Sequence, residues 1–132
     1  MSTVPEDLLQ RLSTAARLAS AHAYAPYSKF RVGAACATGG GRIFSGANVE
    51  NASYGLSICA ERNALFQAIA AGQHDVWAML VYTPTALPTT PCGACRQVLC
   101  EFGDAIEVIC RCDGEAIRTF TSGQLLPDRF RL

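Results

Sequence analysis

Val76 to Tyr82 reads VWAMLVY, seven residues in a row without a charge. A strand with no polar face must be covered on both sides, which calls for helices above and below a sheet. Helical material is available on either side of it. Thr3, Pro5 and Glu6 supply a capping hydroxyl, a first-turn proline and an acid three residues after the cap. Leu8, Leu9, Leu12, Ala16 and Ala19 follow at helical spacing. A second helix is expected from Cys59 to about Ala71, with Ala64, Leu65, Ala68 and Ile69 as its buried stripe. A third is expected from a Thr90 cap and Pro91 to about Phe102, and Ser122 to Leu126 reads as a last helical turn. Arg31–Thr38 and Arg42–Val49 read as strands joined by the turn Gly39-Gly40-Gly41. Ile106–Cys112 and Glu115–Phe120 read as two more strands. Asp113-Gly114 between them favours a tight antiparallel hairpin. The expected fold is a three-layer α/β/α domain spanning 1–132, with a mixed five-stranded sheet whose last two strands are antiparallel.

Composition narrows the partners. Eleven basic and eleven acidic residues balance to zero, and Lys29 is the single lysine. A basic stripe of the kind that neutralises phosphates is not visible, which counts against nucleic acid. No apolar run approaches the ~18 residues of a membrane span. Residues Met1 to Asp7 are polar and acidic where a secretory signal would be basic and then apolar, so a cytoplasmic location is expected. Seven cysteines in such a chain point to metal or catalysis rather than disulfides.

Cys92 and Cys95 are spaced Cys-x-x-Cys at a predicted helix start, so two sulfurs share one face. Backbone N–H groups there favour thiolates. Alone, the pair is ambiguous between half of a structural zinc site, a redox pair and a chance spacing. Cys59-Ala60-Glu61, at another predicted helix start, offers a third sulfur if the two helix ends converge. Three protein ligands leave a tetrahedral position for water, the mark of catalytic rather than structural zinc, and Glu61 beside it suits proton transfer.

The zinc nucleoside deaminases carry His or Cys, any residue, Glu, and later Pro-Cys-x-x-Cys. Here the pattern reads Cys59-Ala60-Glu61 and Pro91-Cys92-Gly93-Ala94-Cys95. Tyr24-Ala25-Pro26-Tyr27-Ser28-Lys29-Phe30, Val32-Gly33-Ala34-Ala35, Asn48-Val49-Glu50-Asn51-Ala52-Ser53-Tyr54, the run CGACRQVL from Cys92 and the closing Leu125-Leu126-Pro127 extend the match. Over nearly its whole length the chain resembles the small homotetrameric cytidine deaminases.

That resemblance implies hydrolysis of cytidine and 2′-deoxycytidine to the uridines with release of ammonia, in pyrimidine salvage, with one Zn²⁺ per subunit on Cys59, Cys92 and Cys95. It implies Glu61 as the proton carrier. Asn48 and Glu50 would hold the ribose, Phe30 would pack on the pyrimidine, the Ala60 N–H would bind the ring carbonyl, and the Thr90 carbonyl would face the departing amine. Tyr54 and Phe130 would reach a neighbouring subunit's pocket in a homotetramer. Three thiolates on Zn²⁺ leave a net charge of −1, which Arg62 or Arg96 would offset by hydrogen bonds to sulfur, Arg62 being favoured. Plainer readings exist: Asn48 and Glu50 as solvated strand-end residues, Phe30 as core, and Arg62 and Arg96 as surface ion pairs. His22 and His74 fall in no ligand motif, and Cys36, Cys100, Cys110 and Cys112 are expected to be buried, inert thiols. Rival functions are a deaminase of modified cytosine nucleosides or aminonucleosides, a nucleic-acid deaminase, and a non-catalytic zinc-stabilised module.

Overall fold

A computed structural model describes residues 2–132. Its elements are α1 (Glu6–Ser20), β1 (Gly33–Thr38), β2 (Ile43–Ala47), a 3-10 turn (Tyr54–Leu56), α2 (Ala60–Ala70), β3 (Val76–Tyr82), α3 (Gly93–Glu101), β4 (Glu107–Arg111), β5 (Arg118–Thr121) and α4 (Ser122–Leu125). The strands form one sheet in the order β2-β1-β3-β4-β5. β3 and β4 run parallel; the other neighbours are antiparallel.

The apolar β3 lies in the middle, and its side chains alternate between two cores. Ala78, Leu80 and Tyr82 face α1, where Leu8, Leu12 and Ala16 join Ala35, Ala37 and Ile109. Met79 and Val81 face the other way, into a layer built with Ala64, Leu65 and Ala68 of α2 and Leu99 of α3. Leu12, Leu65 and Leu80 are fully buried, and each such side chain contributes about 1.5–3 kcal/mol of burial. The three-layer expectation therefore holds.

Small residues set how close the layers come. β1 (GAACAT) is buried along its whole length. A Cβ on Gly33 would sit 1.8 Å from the carbonyl oxygen of Ala16, and one on Gly46 would sit 2.5 Å from the Ala64 nitrogen. The backbones of α1 and α2 thus rest directly on opposite faces of the β1–β2 ribbon, and only glycine permits it.

Three local expectations are corrected. Thr3 does not cap α1: its N–H and hydroxyl both donate to the Glu107 carboxylate, at 2.9 and 2.6 Å, and Pro5 takes the cap position. The third helix begins two residues later than expected, because Cys92 in extended conformation, not Thr90, is its N-cap. Pro91 lies outside the helix, and the first turn closes with Arg96 N–H donating to the Cys92 carbonyl at 3.0 Å. The Asp113-Gly114 link is not a tight hairpin, since β4 ends at Arg111 and β5 begins only at Arg118. Asp113 N–H donates to Thr85 carbonyl at 2.9 Å, and the buried Cys112 sulfur sits 3.5–3.6 Å from the carbonyls of Ala86, Gly114 and Ala116. Those tertiary bonds draw the connection toward the β3–α3 loop. The antiparallel sense of the last two strands is as expected.

Candidate metal centre and pocket

The parallel pair β3–β4 delivers its loops to one end of the sheet, and the N-termini of α2 and α3 meet there. Cys59 is the N-cap of α2 and Cys92 the N-cap of α3. Cys95 follows one turn into α3, on the face toward α2, and is fully buried. The sulfurs of Cys59, Cys92 and Cys95 all lie within 4.8 Å of one another, and those of Cys59 and Cys92 are 3.6 Å apart. The three expected ligands are thus brought together.

The surroundings suit a thiophilic cation. A hydrogen bond from the Cys95 thiol, aided by Arg62, holds the Cys59 thiol well below its ordinary value. The same hydrogen bond, with burial, raises Cys95. The Cys59 sulfur is thus favoured as thiolate, the form a metal ligand requires. Arg62 Nη2 donates to Cys59 Sγ at 3.3 Å, while its buried Nε has no partner among the described residues. A guanidinium aimed at sulfur makes sense where the sulfurs carry excess negative charge. Three convergent sulfurs of this kind fit zinc.

Glu61 is the second residue of α2 and is only 5% exposed. Burial pushes its carboxyl up to about 7, with the Cys59 thiolate adding to the effect. It lines a cavity of about 190 Å³ together with Cys59, Ala60 and Cys92. The opposite walls hold Phe30, Asn48 and Thr90, three of the residues expected from the sequence. Val32, Val81, Thr83 and Thr89 complete the lining and were not anticipated. Val81 was hidden in a uniformly apolar strand. Nothing in the local pattern distinguishes Thr83 and Thr89 from the other threonines of that loop. Ala60 opens α2, so its N–H has no acceptor within the helix.

Asn48 and Glu50 are not the idle surface groups of the plainer reading, and they do not share one cavity. The Asn48 carboxamide accepts from Val32 N–H and donates to the Phe30 carbonyl, both at 2.8 Å, so it fixes the segment that carries Phe30. Glu50 lines a second cavity, of about 350 Å³, with Tyr27, Ser28, Tyr54 and Ser57. Its carboxylate accepts from the N–H groups of Tyr27 and Ser28, at 3.0 and 3.1 Å, and from the Ser28 hydroxyl. The Ser28 hydroxyl bond chiefly holds that carboxyl below its ordinary value. Each group keeps unused capacity, one lone pair and one N–H on Asn48 and one lone pair on Glu50. Tyr54 is 76% exposed and Phe130 is 72% exposed, and Phe130 lies outside both cavities.

Arg96 differs from the expectation of a sulfur contact or a surface ion pair: its guanidinium binds three oxygens of the protein itself. Cys36, Cys100, Cys110 and Cys112 are buried, and burial pushes Cys36 and Cys110 up to about 12, as expected for inert thiols. Among the described residues no helix is long and apolar enough to cross a membrane.

Comparison with known proteins agrees with this geometry. Residues 6–112 match the model of the cytidine and deoxycytidylate deaminase zinc-binding region. Cytidine deaminase of Halalkalibacterium halodurans is 48% identical over 110 residues, 82% of this chain and 83% of that one. A probable cytidine deaminase of Dictyostelium discoideum is 42% identical over 95% of this chain and 85% of its own length. The crystal structure of cytidine deaminase from Burkholderia pseudomallei superposes with a TM-score of 0.88 at 47% identity, covering 98% of this chain and all of that one. With the sulfur cluster, the buried glutamate and the sheet order all in place, the chain is a member of the zinc-binding cytidine and deoxycytidylate deaminase family.

Proposed function

We propose that this chain acts, as a single domain per subunit, in the hydrolysis of cytidine and 2′-deoxycytidine to uridine and 2′-deoxyuridine with release of ammonia. The observation that carries the reading is Glu61, a buried carboxyl in the same small cavity as Cys59 and Cys92. The cofactor is Zn²⁺, with Cys59, Cys92 and Cys95 as its ligands.

When bound, Zn²⁺ supplies the Lewis acidity that lowers the pKa of a water toward ~7. The protein's residues do the rest. Glu61 takes a proton from the attacking water and passes it to the ring nitrogen, which makes the amine-bearing carbon electrophilic, and the water oxygen bonds to that carbon. Glu61 then moves the remaining proton of that oxygen to the amino group, and as the carbonyl of the uridine forms the carbon–nitrogen bond breaks and ammonia leaves. The Ala60 N–H holds the ring carbonyl, Phe30 packs on the ring, and the Thr90 carbonyl faces the departing amine. Asn48 and Glu50 offer their unused hydrogen-bonding capacity to the sugar hydroxyls. Arg62 withdraws charge from the sulfurs, keeping the metal electrophilic despite three thiolates.

A cavity of about 190 Å³ suits one pyrimidine ring, and the zero net charge with a single lysine counts against binding a strand's phosphates. Free nucleosides are therefore the substrates, with neither nucleic acid nor membrane as partner. Tyr54 and Phe130, both large and exposed, complete the pockets of neighbouring subunits in a homotetramer. The enzyme works in pyrimidine salvage in the cytoplasm. The test is zinc content and cytidine turnover, measured side by side for wild type and Glu61→Gln. One zinc in each, with turnover lost only in the variant, supports the reading. A variant that holds zinc and still turns over near the wild-type rate overturns Glu61, and a zinc-free wild type overturns the whole assignment.

A further inference from the structure

Arg96 sits one turn inside α3, on the helix that carries Cys92 and Cys95. Its backbone N–H donates to the Cys92 carbonyl at 3.0 Å. Its Nε donates to the Pro91 carbonyl at 2.8 Å, and its Nη2 donates to the Thr90 hydroxyl at 3.0 Å. One residue thus holds Thr90, Pro91 and Cys92 in succession, the stretch by which the chain enters the metal centre. The remaining arm, Nη1, donates to the Leu125 carbonyl at 2.9 Å. Leu125 is the last residue of α4, so that carbonyl is one the helix cannot satisfy internally.

The segment after α4 runs back along α3. Gln97, next to Arg96, donates through Nε2 to the Phe130 carbonyl at 3.1 Å, and Arg129 pairs with Asp104 just beyond α3. Arg96 is the one side chain in this group that touches both the tail side and the metal loop. Three diverging acceptors in reach of one planar fork are an arrangement that lysine cannot reproduce.

We propose that Arg96 is a positioning residue that sets the Thr90–Cys92 segment for metal binding by tying it to the C-terminal end of α4. The proposal rests on the zinc reading above. It separates the two arginines beside the ligands. Arg62 acts on sulfur charge, whereas Arg96 acts on where the Cys92 sulfur and the Thr90 carbonyl stand.

The test compares wild type, Arg96→Met and Arg96→Lys by zinc transfer to a competing chelator, by the absorption bands of the Co²⁺-substituted proteins, and by thermal unfolding. Zinc affinity is expected to fall roughly 10–100-fold in Arg96→Met and less in Arg96→Lys. The thiolate-to-cobalt and ligand-field bands are expected to shift as the Cys92 geometry loosens. Wild-type zinc affinity and unshifted cobalt bands in both variants would overturn the proposal even if both melt earlier, because a purely structural role moves the melting temperature alone. If Arg96→Met does not fold, Arg96→Lys decides by the same two readouts. A wild type that binds zinc tightly yet leaves cytidine intact defeats the functional reading and leaves this one standing.

Discussion

Among the described residues two glutamates are buried, at opposite ends of the sheet, and their surroundings could hardly differ more. Glu107 opens β4 at the end where the chain begins. It receives the Thr3 N–H and the hydroxyls of Ser2 and Thr3. Although burial works the other way, those donors hold its carboxyl below the ordinary value. Glu61 stands at the end where α2 and α3 converge, with no side-chain donor among the described residues, and burial raises it. Burial alone therefore does not make a carboxylate reactive. One held by several donors is a clasp, and one without a side-chain donor beside a cation site is poised to move protons.

The comparison breaks first at Glu61. Glu61→Gln should lower kcat by roughly 10²–10⁴-fold or more while zinc content stays at the wild-type level; steady-state kinetics with metal analysis checks both. The matching change at the other end, Glu107→Gln, should leave turnover untouched and cost about 1–3 kcal/mol of stability, read from denaturant unfolding. If it also slows turnover, the two ends are not independent. Arg62→Gln tests whether sulfur charge matters to the chemistry: a drop in kcat of about 10-fold is expected, with the acidic limb of the pH–rate profile moved to higher pH and zinc retained. No change in kcat or in either limb would remove Arg62 from the chemistry.

The smallest effect concerns acid stability. The folded pKa of Glu107 lies below its unfolded value of 4.5. Its contribution is therefore complete above pH 4.5 and is lost as pH falls through the folded value. Unfolding measured from pH 6 downward should show wild type losing part of its margin below about pH 4.5. Glu107→Gln should lack that component, and parallel curves would show that the clasp is not ionic.

The two helix N-termini repeat the lesson in miniature. Each is capped by a cysteine and followed by an arginine, yet one arginine meets sulfur at 3.3 Å and the other meets three oxygens. The sequence places both arginines beside ligands. It does not say which way a long side chain turns, because that depends on acceptors up to 29 residues away, such as the Leu125 carbonyl.

Local patterns carried the three-layer architecture, through the uncharged β3 and the helical stripes of α1 and α2, because burial is written into side-chain type and period. They also named the sulfur set: Cys-x-x-Cys at one helix start puts two sulfurs on one face, and Cys-x-Glu at another supplies the third once the two helix ends converge. Three features were decided only in the folded molecule. Thr3 gave up its cap for Glu107, Cys112 drew the last hairpin open, and Asn48 and Glu50 came to face different cavities. Thr3 went to Glu107 because folding buries that carboxylate, where leaving it unpaired costs more. Cys112, Asn48 and Glu50 each depend on groups that only the fold brings near: Ala86, the Phe30–Val32 segment, and Tyr27 with Ser28.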